Sequence, residues 1–183
     1  HFKQAIDSLL EQTLKPAEII ITVDGPVPDD INDYLDELSK NNLFLINRLA
    51  INKGLPNALN SGIALTKFDL IARMDADDIC FPNRFEKSLN FMFKYHLDIV
   101  GGQAIEFGEN IDEIVSTRKL PERHKDIVNF MKFRNPFTHP SVLIRKKVYK
   151  QLGGYLNFPY FEDYELFVRA YLFGFKMGNI SDN

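Results

Sequence analysis

The sequence has no tryptophan and one cysteine, Cys80. No uninterrupted apolar run approaches the ~20 residues that cross a bilayer as a helix. A lone cysteine excludes an internal disulfide framework and suits a reducing compartment. No stretch has the charged, apolar, small-residue order of a secretory signal peptide. There is no excess of positive charge: 22 Lys and Arg stand against 25 Asp and Glu, a net charge of -3. A sequence-wide basic field that would attract nucleic acid is therefore missing. Internal repeats, flexible linkers and low-complexity segments are missing too. What remains is a chain of 183 residues, 45% apolar and 26% charged, with sixteen Phe available for a core. That balance fits one globular domain long enough to bury a sizeable interior.

Hydrophobic spacing gives the order of elements. Phe2, Ile6, Leu9 and Leu10 recur at helical spacing, and Pro16 is expected to close that helix. Glu18 to Val23 reads as a buried strand ending in the turn Asp24-Gly25-Pro26. A second helix, capped by Asp29 or Asp30, carries Ile31, Tyr34, Leu35 and Leu38 on one face. Leu43 to Leu49 is a strand, and a third helix starts near Pro56 after the loop Asn52-Lys53-Gly54. Asp69 to Met74 is a strand running into Asp75-Ala76-Asp77-Asp78, and Pro82 opens a fourth helix. This alternation predicts an α/β fold with a Rossmann-like, doubly wound, mostly parallel sheet flanked by helices. Ligands on such sheets bind outside the carboxyl ends of the strands, where both Asp24 and the Asp75 turn fall. Further on, Asp98 to Gly102 and Gln103 to Phe107 are strand-like, with a hairpin-like turn at Gly108-Glu109-Asn110. Pro121 to Phe133 reads as a helix, Ser141 to Ile144 as a strand, and Arg145 to Leu152 as a short helix ending at Gly153-Gly154. Phe161 to Phe173 is a last helix that opens with Glu162 and Asp163.

The acidic turn carries the chemistry. Asp75, Asp77 and Asp78 put three carboxylates within four residues, where their charges repel. A hard divalent cation relieves that repulsion, and an all-oxygen donor set favours magnesium or manganese over zinc or copper. Such an ion can also bridge the phosphates of a nucleotide diphosphate. The plainer alternative is a solvated turn with a helix cap. A calcium EF-hand loop does not fit: Ile79 and Cys80 occupy its fifth and sixth places, and only Glu86 at the twelfth matches.

With these turns placed, the sequence closely resembles the family 2 glycosyltransferases of the GT-A fold. The matching segments run in order from Ala5-Ile6-Asp7-Ser8-Leu9-Leu10-Glu11-Gln12-Thr13 through Val23-Asp24-Gly25, Asn52-Lys53-Gly54-Leu55 and Ala58-Leu59-Asn60-Ser61-Gly62-Ile63. They continue with Ala72-Arg73-Met74-Asp75-Ala76-Asp77-Asp78, Pro82-Asn83-Arg84 and Asn135-Pro136-Phe137-Thr138-His139-Pro140-Ser141. Gly153-Gly154-Tyr155 and Glu162-Asp163-Tyr164-Glu165-Leu166 complete the series. Each piece is weak alone, and the ordered series is specific.

The resemblance implies one domain over 1–183, with a nucleotide-binding part at 1–100 and an acceptor and catalytic part, with a small second sheet, at 101–183. It implies that Asp24 reads the uracil edge, that Asp75 sits at the ribose, and that Asp77 binds Mn2+ or Mg2+ on the diphosphate. Lys53, Asn60 and Arg73 would line the nucleotide pocket. Asp163 would be the general base, with Glu162 and His139 on the acceptor side. Plainer roles stand beside these: Asp24 as a turn former, Lys53 as a solvated charge, Asn60 bonded to backbone within its helix, Arg73 as an ion-pair partner, His139 as a packed loop residue. The family's first apolar strand, central to its sheet, and its Tyr-Asn-like turn have no counterpart in 1–183. The expectation is a piece lacking that strand and a C-terminal remainder, and incomplete as a catalyst.

The implied reaction moves a sugar from a UDP-sugar to a hydroxyl of a saccharide or lipid-linked saccharide, with inversion, in O-antigen or capsule synthesis. It implies a cytoplasmic enzyme working at the inner membrane face through its acceptor. Two rivals are a sugar-phosphate nucleotidyltransferase and a non-catalytic nucleotide-sugar-binding domain. The first needs a glycine-rich phosphate loop, which 1–183 lacks. The second is opposed by the joint presence of Asp24, Asp75, Asp77 and Asp163.

Overall fold

A computed structural model describes residues 1–108 and 113–181. The first part alternates as expected: α1 (Phe2–Leu10), β1 (Ile19–Asp24), α2 (Asp29–Leu38), β2 (Phe44–Leu49), α3 (Leu55–Leu65), β3 (Leu70–Ala72) and α4 (Arg84–Lys94). The second part follows with β4 (Ile99–Gly101), β5 (Ala104–Phe107), β6 (Ile114–Arg118) and α5 (His124–Phe130). After a 3-10 turn at His139–Ser141 come β7 (Leu143–Arg145), α6 (Lys146–Leu152), α7 (Glu162–Leu172) and β8 (Met177–Asn179). Residues Glu109 and Asn110 of the expected hairpin turn lie outside the described residues.

β1 and β2 pair in parallel from Ile19 opposite Phe44 to Asp24 opposite Leu49. A second sheet has the order β3-β7-β4-β8, in which β7 runs antiparallel to both β3 and β4 while β8 is parallel to β4. β3, β4 and β8 therefore share one direction, and their carboxyl ends share one edge. The α/β class with parallel pairing and flanking helices holds, with β7 as the reversed strand. The small sheet expected beyond residue 100 is the antiparallel β5–β6 ribbon.

Strand alternation divides the interior. Ile99 and Ile144, opposite one another, face a large cluster with Val148 of α6 and Leu166, Phe167 and Ala170 of α7. Their neighbours Val100 and Leu143 face the other way, onto Met92 of α4. Ile19 and Phe44 pack with Ile6 of α1 in a third, smaller cluster. On the opposite face of β1, α3 approaches closely: a Cβ on Gly62 would stand 2.7 Å from Thr22 Oγ1.

Of the expected boundaries that moved, three have a visible cause. α1 ends at Leu10, well before Pro16, because Gln12 leaves the helix to stitch it to the loop before α4. The fully buried Gln12 amide donates to Phe81 O (2.7 Å) and accepts from Phe85 N (3.1 Å). β3 is only three residues, since Arg73 turns its side chain to the acidic turn beyond it. Ser141 belongs to the 3-10 turn, and its hydroxyl donates to Thr138 O at 2.7 Å.

Candidate active site

Arg73 leaves β3 with its N–H still on the ladder, donating to Val142 O at 2.9 Å. Its side chain is 7% exposed and grips both oxygens of Asp75, with Nη1 on Oδ2 at 2.6 Å and Nη2 on Oδ1. From α4, Arg84 reaches back to Arg73 O (2.6 Å) and Cys80 Sγ (2.9 Å). Two guanidinium groups thus bracket the turn. Asp77 lies exposed at its tip. Asp78 is half-buried, and its Oδ2 is fully enclosed with no hydrogen-bond partner. Burial pushes the Asp78 carboxyl up, the charges of Asp75 and Asp77 push it further, and Arg73 and Arg84 oppose them. The turn is not a helix cap: α4 starts at Arg84, with Asn83 as its N-cap residue.

An enclosed carboxylate oxygen without a partner, next to an exposed carboxylate, is a donor set that suits a hard cation. Among the described residues, no three His, Cys, Asp or Glu side chains converge into a preformed cage. A divalent ion here would complete its shell with water and phosphate oxygens, as magnesium sites commonly do. Beside the turn lies a cleft of about 580 Å³, lined by Asp77, Asp78, Arg84, Gln103, Arg118 and Thr138 among others. It sits outside the carboxyl ends of β3 and β4, the place ligands take on open α/β sheets.

Asp24 is the last residue of β1. Its carboxylate accepts from Lys53 N and Gly54 N, both at 2.8 Å, and so ties the loop before α3 to the strand end. The approach is tight: Gly25 has φ +98°, and a Cβ there would stand 2.8 Å from Asn52 N. The turn-forming role of Asp24 is therefore real. Each carboxylate oxygen has acceptor capacity left for a ligand. Lys53 is held through its backbone and leaves its side chain exposed.

Asn60 is engaged elsewhere than within its own helix. Its Nδ2 donates to Tyr155 O and its Oδ1 accepts from Tyr155 N, both at 2.8 Å. That clasp joins α3 to the Gly153-Gly154-Tyr155 segment, which Arg169 of α7 also holds through Leu152 O and Gly154 O.

Asp163 is the second residue of α7, whose N-cap position is Phe161, so it is not the cap of its helix. Its Oδ1 accepts from Tyr164 N at 2.7 Å and its Oδ2 from Asn135 Nδ2 at 2.6 Å. Glu162 precedes it at the first helical position, half-buried. His139 Nε2 stands 2.9 Å from the Tyr155 hydroxyl, which is 3.3 Å from that of Tyr149. Burial, then the nearby Arg73 charge, lowers the His139 pKa to about 3. Burial raises Tyr149 to about 12, and Tyr155 well above the usual phenol value. This trio is neutral at physiological pH. The Asp163 charge adds to the rise at Tyr155 and the Arg73 charge opposes it. The segment from Asn135 to Val142 touches both the start of α7 and the strand end before the acidic turn: Asn135 bonds Asp163, and Val142 O accepts from Arg73 N.

The structure joins Arg73 to Asp75, sets His139 and the Asn135 partner of Asp163 on the segment beside them, and brings Asp24 and Lys53 together at the end of β1. Sequence reasoning missed Asn135, Tyr149, Tyr155, Arg84 and Arg169. The signal for Asn135 and Tyr155 lay in motifs already singled out, in which only His139 had drawn a role.

Comparison with known proteins identifies the family. The family model for glycosyl transferase family 2 matches residues 2–153. The amylovoran biosynthesis glycosyltransferase AmsE of Erwinia amylovora is 36% identical over 184 residues, covering 100% of this chain and 68% of that protein. The UDP-Gal:alpha-D-GlcNAc-diphosphoundecaprenol beta-1,3-galactosyltransferase of Escherichia coli is 35% identical, covering 97% of this chain and 64% of that one. The crystal structure of S. aureus TarS 1–349 in complex with UDP superposes with a TM-score of 0.76 at 15% identity, covering 100% of this chain and 54% of that one. The chain thus spans about two thirds of the length of these relatives and about half of the solved TarS chain. It belongs to glycosyl transferase family 2.

Proposed function

We propose that this chain forms the donor-binding and catalytic part of an inverting glycosyltransferase that moves a sugar from a UDP-sugar to a hydroxyl of a lipid-linked saccharide in bacterial polysaccharide synthesis. One observation carries the reading: the exposed Asp77 and the enclosed, unpartnered Asp78 oxygen line a cleft outside the carboxyl ends of β3 and β4. The names of the Erwinia and Escherichia relatives support the polysaccharide and lipid-linked parts of it. The TarS complex with UDP, on the same fold, supports the nucleotide.

In this reading Asp24 accepts a hydrogen bond from the uracil, and Lys53 approaches the same end of the donor. Asp75, oriented by Arg73, meets the ribose, and Asp77 holds Mn2+ or Mg2+. When bound, the ion offsets the charge that gathers on the departing diphosphate. A sugar hydroxyl is a weak nucleophile, so Asp163 takes its proton as it attacks the anomeric carbon. Attack from the side opposite the diphosphate inverts that carbon. Glu162 and His139 border the acceptor side. Asn60 and the Gly-Gly-Tyr segment support the site from behind. No helix among the described residues is long and apolar enough to cross a membrane. Contact with a membrane would come through the lipid-linked acceptor, on the cytoplasmic face.

The test is thermal unfolding with UDP, with and without manganese. Ligand at a hundredfold excess over its Kd adds about 2.7 kcal/mol to the native state, or roughly 5 °C or more in a domain of this size. The shift is expected only with the metal present, and Asp77→Asn should reduce it more than Asp78→Asn. Equal shifts in manganese and in chelator would overturn the metal assignment.

A further inference from the structure

We propose that Asn135 is a positioning residue for catalysis, holding the Asp163 carboxylate in the orientation from which it takes the acceptor proton. The inference rests on the reading of Asp163 as general base.

The geometry is specific. Asn135 Nδ2 donates to Asp163 Oδ2 at 2.6 Å, while Asn135 Oδ1 accepts from Phe137 N at 3.1 Å. The second bond fixes the side chain that makes the first. Pro136 restricts the backbone of Asn135 to extended conformations, and Pro136 O is itself held by Asn179 Nδ2 at 2.9 Å. Phe137, fully buried, lies against Phe167 with ring centroids 4.6 Å apart. Phe167 stands four residues after Asp163, on the same face of α7. Asn135 on Asp163 and Phe137 on Phe167 are therefore successive contacts of one segment along one helix face. A third tie, from the Tyr164 hydroxyl to Met131 O, fixes the same two elements.

The other Asp163 oxygen accepts from Tyr164 N at 2.7 Å. With one bond on each oxygen, the carboxylate cannot rotate freely, and a lone pair remains on each for an incoming hydroxyl. Fixing a reacting group before the substrate arrives raises the rate of the chemical step without tightening donor binding. Loss of Asn135 should thus appear in kcat and leave the donor KM in place.

The experiment measures UDP release by the full-length polypeptide in manganese, with water as acceptor and UDP-galactose, UDP-glucose and UDP-N-acetylglucosamine in turn as donors. Asn135→Ala removes the whole contact. Asn135→Asp keeps the oxygen that Phe137 N–H needs, removes the donor to Asp163 and adds a like charge beside it. Both should lower kcat roughly tenfold or more and keep the donor KM within about twofold. In an Asp163→Asn background neither should lower the rate further, because a residue that acts through Asp163 has nothing left to act on. A wild-type kcat in Asn135→Asp, or an equal loss in both backgrounds, would overturn the inference and leave Asn135 as a turn former. Asp163→Asn turning over at the wild-type rate, or no UDP release by the wild type from any donor, would instead overturn the base assignment beneath it.

Discussion

The acidic turn after β3 and the first turn of α7 each hold three carboxylates, and the two regions handle that charge differently. Glu162, Asp163 and Glu165 lie at a helix N-terminus, whose free N–H groups and dipole favour negative charge. Asn135 and Tyr164 N hold Asp163, and Arg169 pairs with Glu165. Asp75, Asp77 and Asp78 lie in a turn six residues short of any helix, so no dipole helps them. Arg73 neutralises Asp75, while Asp77 stays exposed and Asp78 keeps an enclosed oxygen without a partner. One region has its carboxylates held from within the chain, and the other leaves an exposed carboxylate and an enclosed oxygen open. In the proposed reading the first would hold a base oriented before substrate arrives, and the second would be completed by a cation.

The strongest way to break this contrast is at Asp163. Asp163→Asn keeps the shape and one acceptor for Tyr164 N–H while removing the proposed base. Sugar transfer should fall by roughly 10²-fold or more, with melting temperature and UDP affinity close to wild type. Glu162→Gln beside it should retain most activity. A loss of transfer that merely tracks loss of stability would make the start of α7 a structural region after all.

A smaller effect sharpens the comparison at a control contact, the clasp between α3 and the Gly-Gly-Tyr segment that Arg169 holds. Gly154 has φ +80°, and a Cβ there would stand 2.3 Å from Asn60 Oδ1. Gly154→Ala should strain the backbone, break the Asn60–Tyr155 clasp and destabilise by about 1–3 kcal/mol in denaturant unfolding. Asn60→Ala should lose a similar amount, and the two changes together should be less than additive because they break one contact. UDP affinity should hardly move in either. A large loss of UDP affinity at unchanged stability would return Asn60 to the nucleotide pocket.

The same contrast explains how far the sequence could be read. β1, β2 and α3 were legible because β-branched runs and helical spacing are local signals, and Asp24 and the Asp75 turn fell at strand ends for the same reason. The reversal of β7 was not legible: Leu143, Ile144 and Arg145 form a strand in either direction, and only pairing between β3 and β4 decides which. Asn60 could be given a bond to backbone but not its partner, which lies 95 residues away. Asp163 was legible as a carboxylate in a recognisable motif, while its orientation by Asn135 depends on a contact 28 residues distant. Residue chemistry is written locally. The pairing that tunes it is set by packing between elements far apart in the chain.

The smallest effect concerns the neutral wall between the two regions. His139 shares a hydrogen bond with Tyr155, and burial, then the nearby Arg73 charge, brings its pKa to about 3. In the unfolded chain a histidine takes up its proton near pH 6.5. As pH falls below 6.5 the unfolded state therefore binds a proton that the folded state refuses. Above pH 6.5 the native state carries no such penalty, and stability is lost progressively as pH drops from 6.5 towards 3. Between pH 7 and pH 5 the loss due to this one side chain should be about 1–2 kcal/mol, the lower figure if solvent reaches part of the ring. Urea unfolding at the two pH values measures it. His139→Gln keeps a polar group that can bond Tyr155 and removes the titration, so the variant should lose less stability than wild type over the same interval. An identical pH dependence in wild type and His139→Gln would mean that His139 accepts its proton in the folded state. Burial and the Arg73 charge would then be too weak to keep the ring neutral.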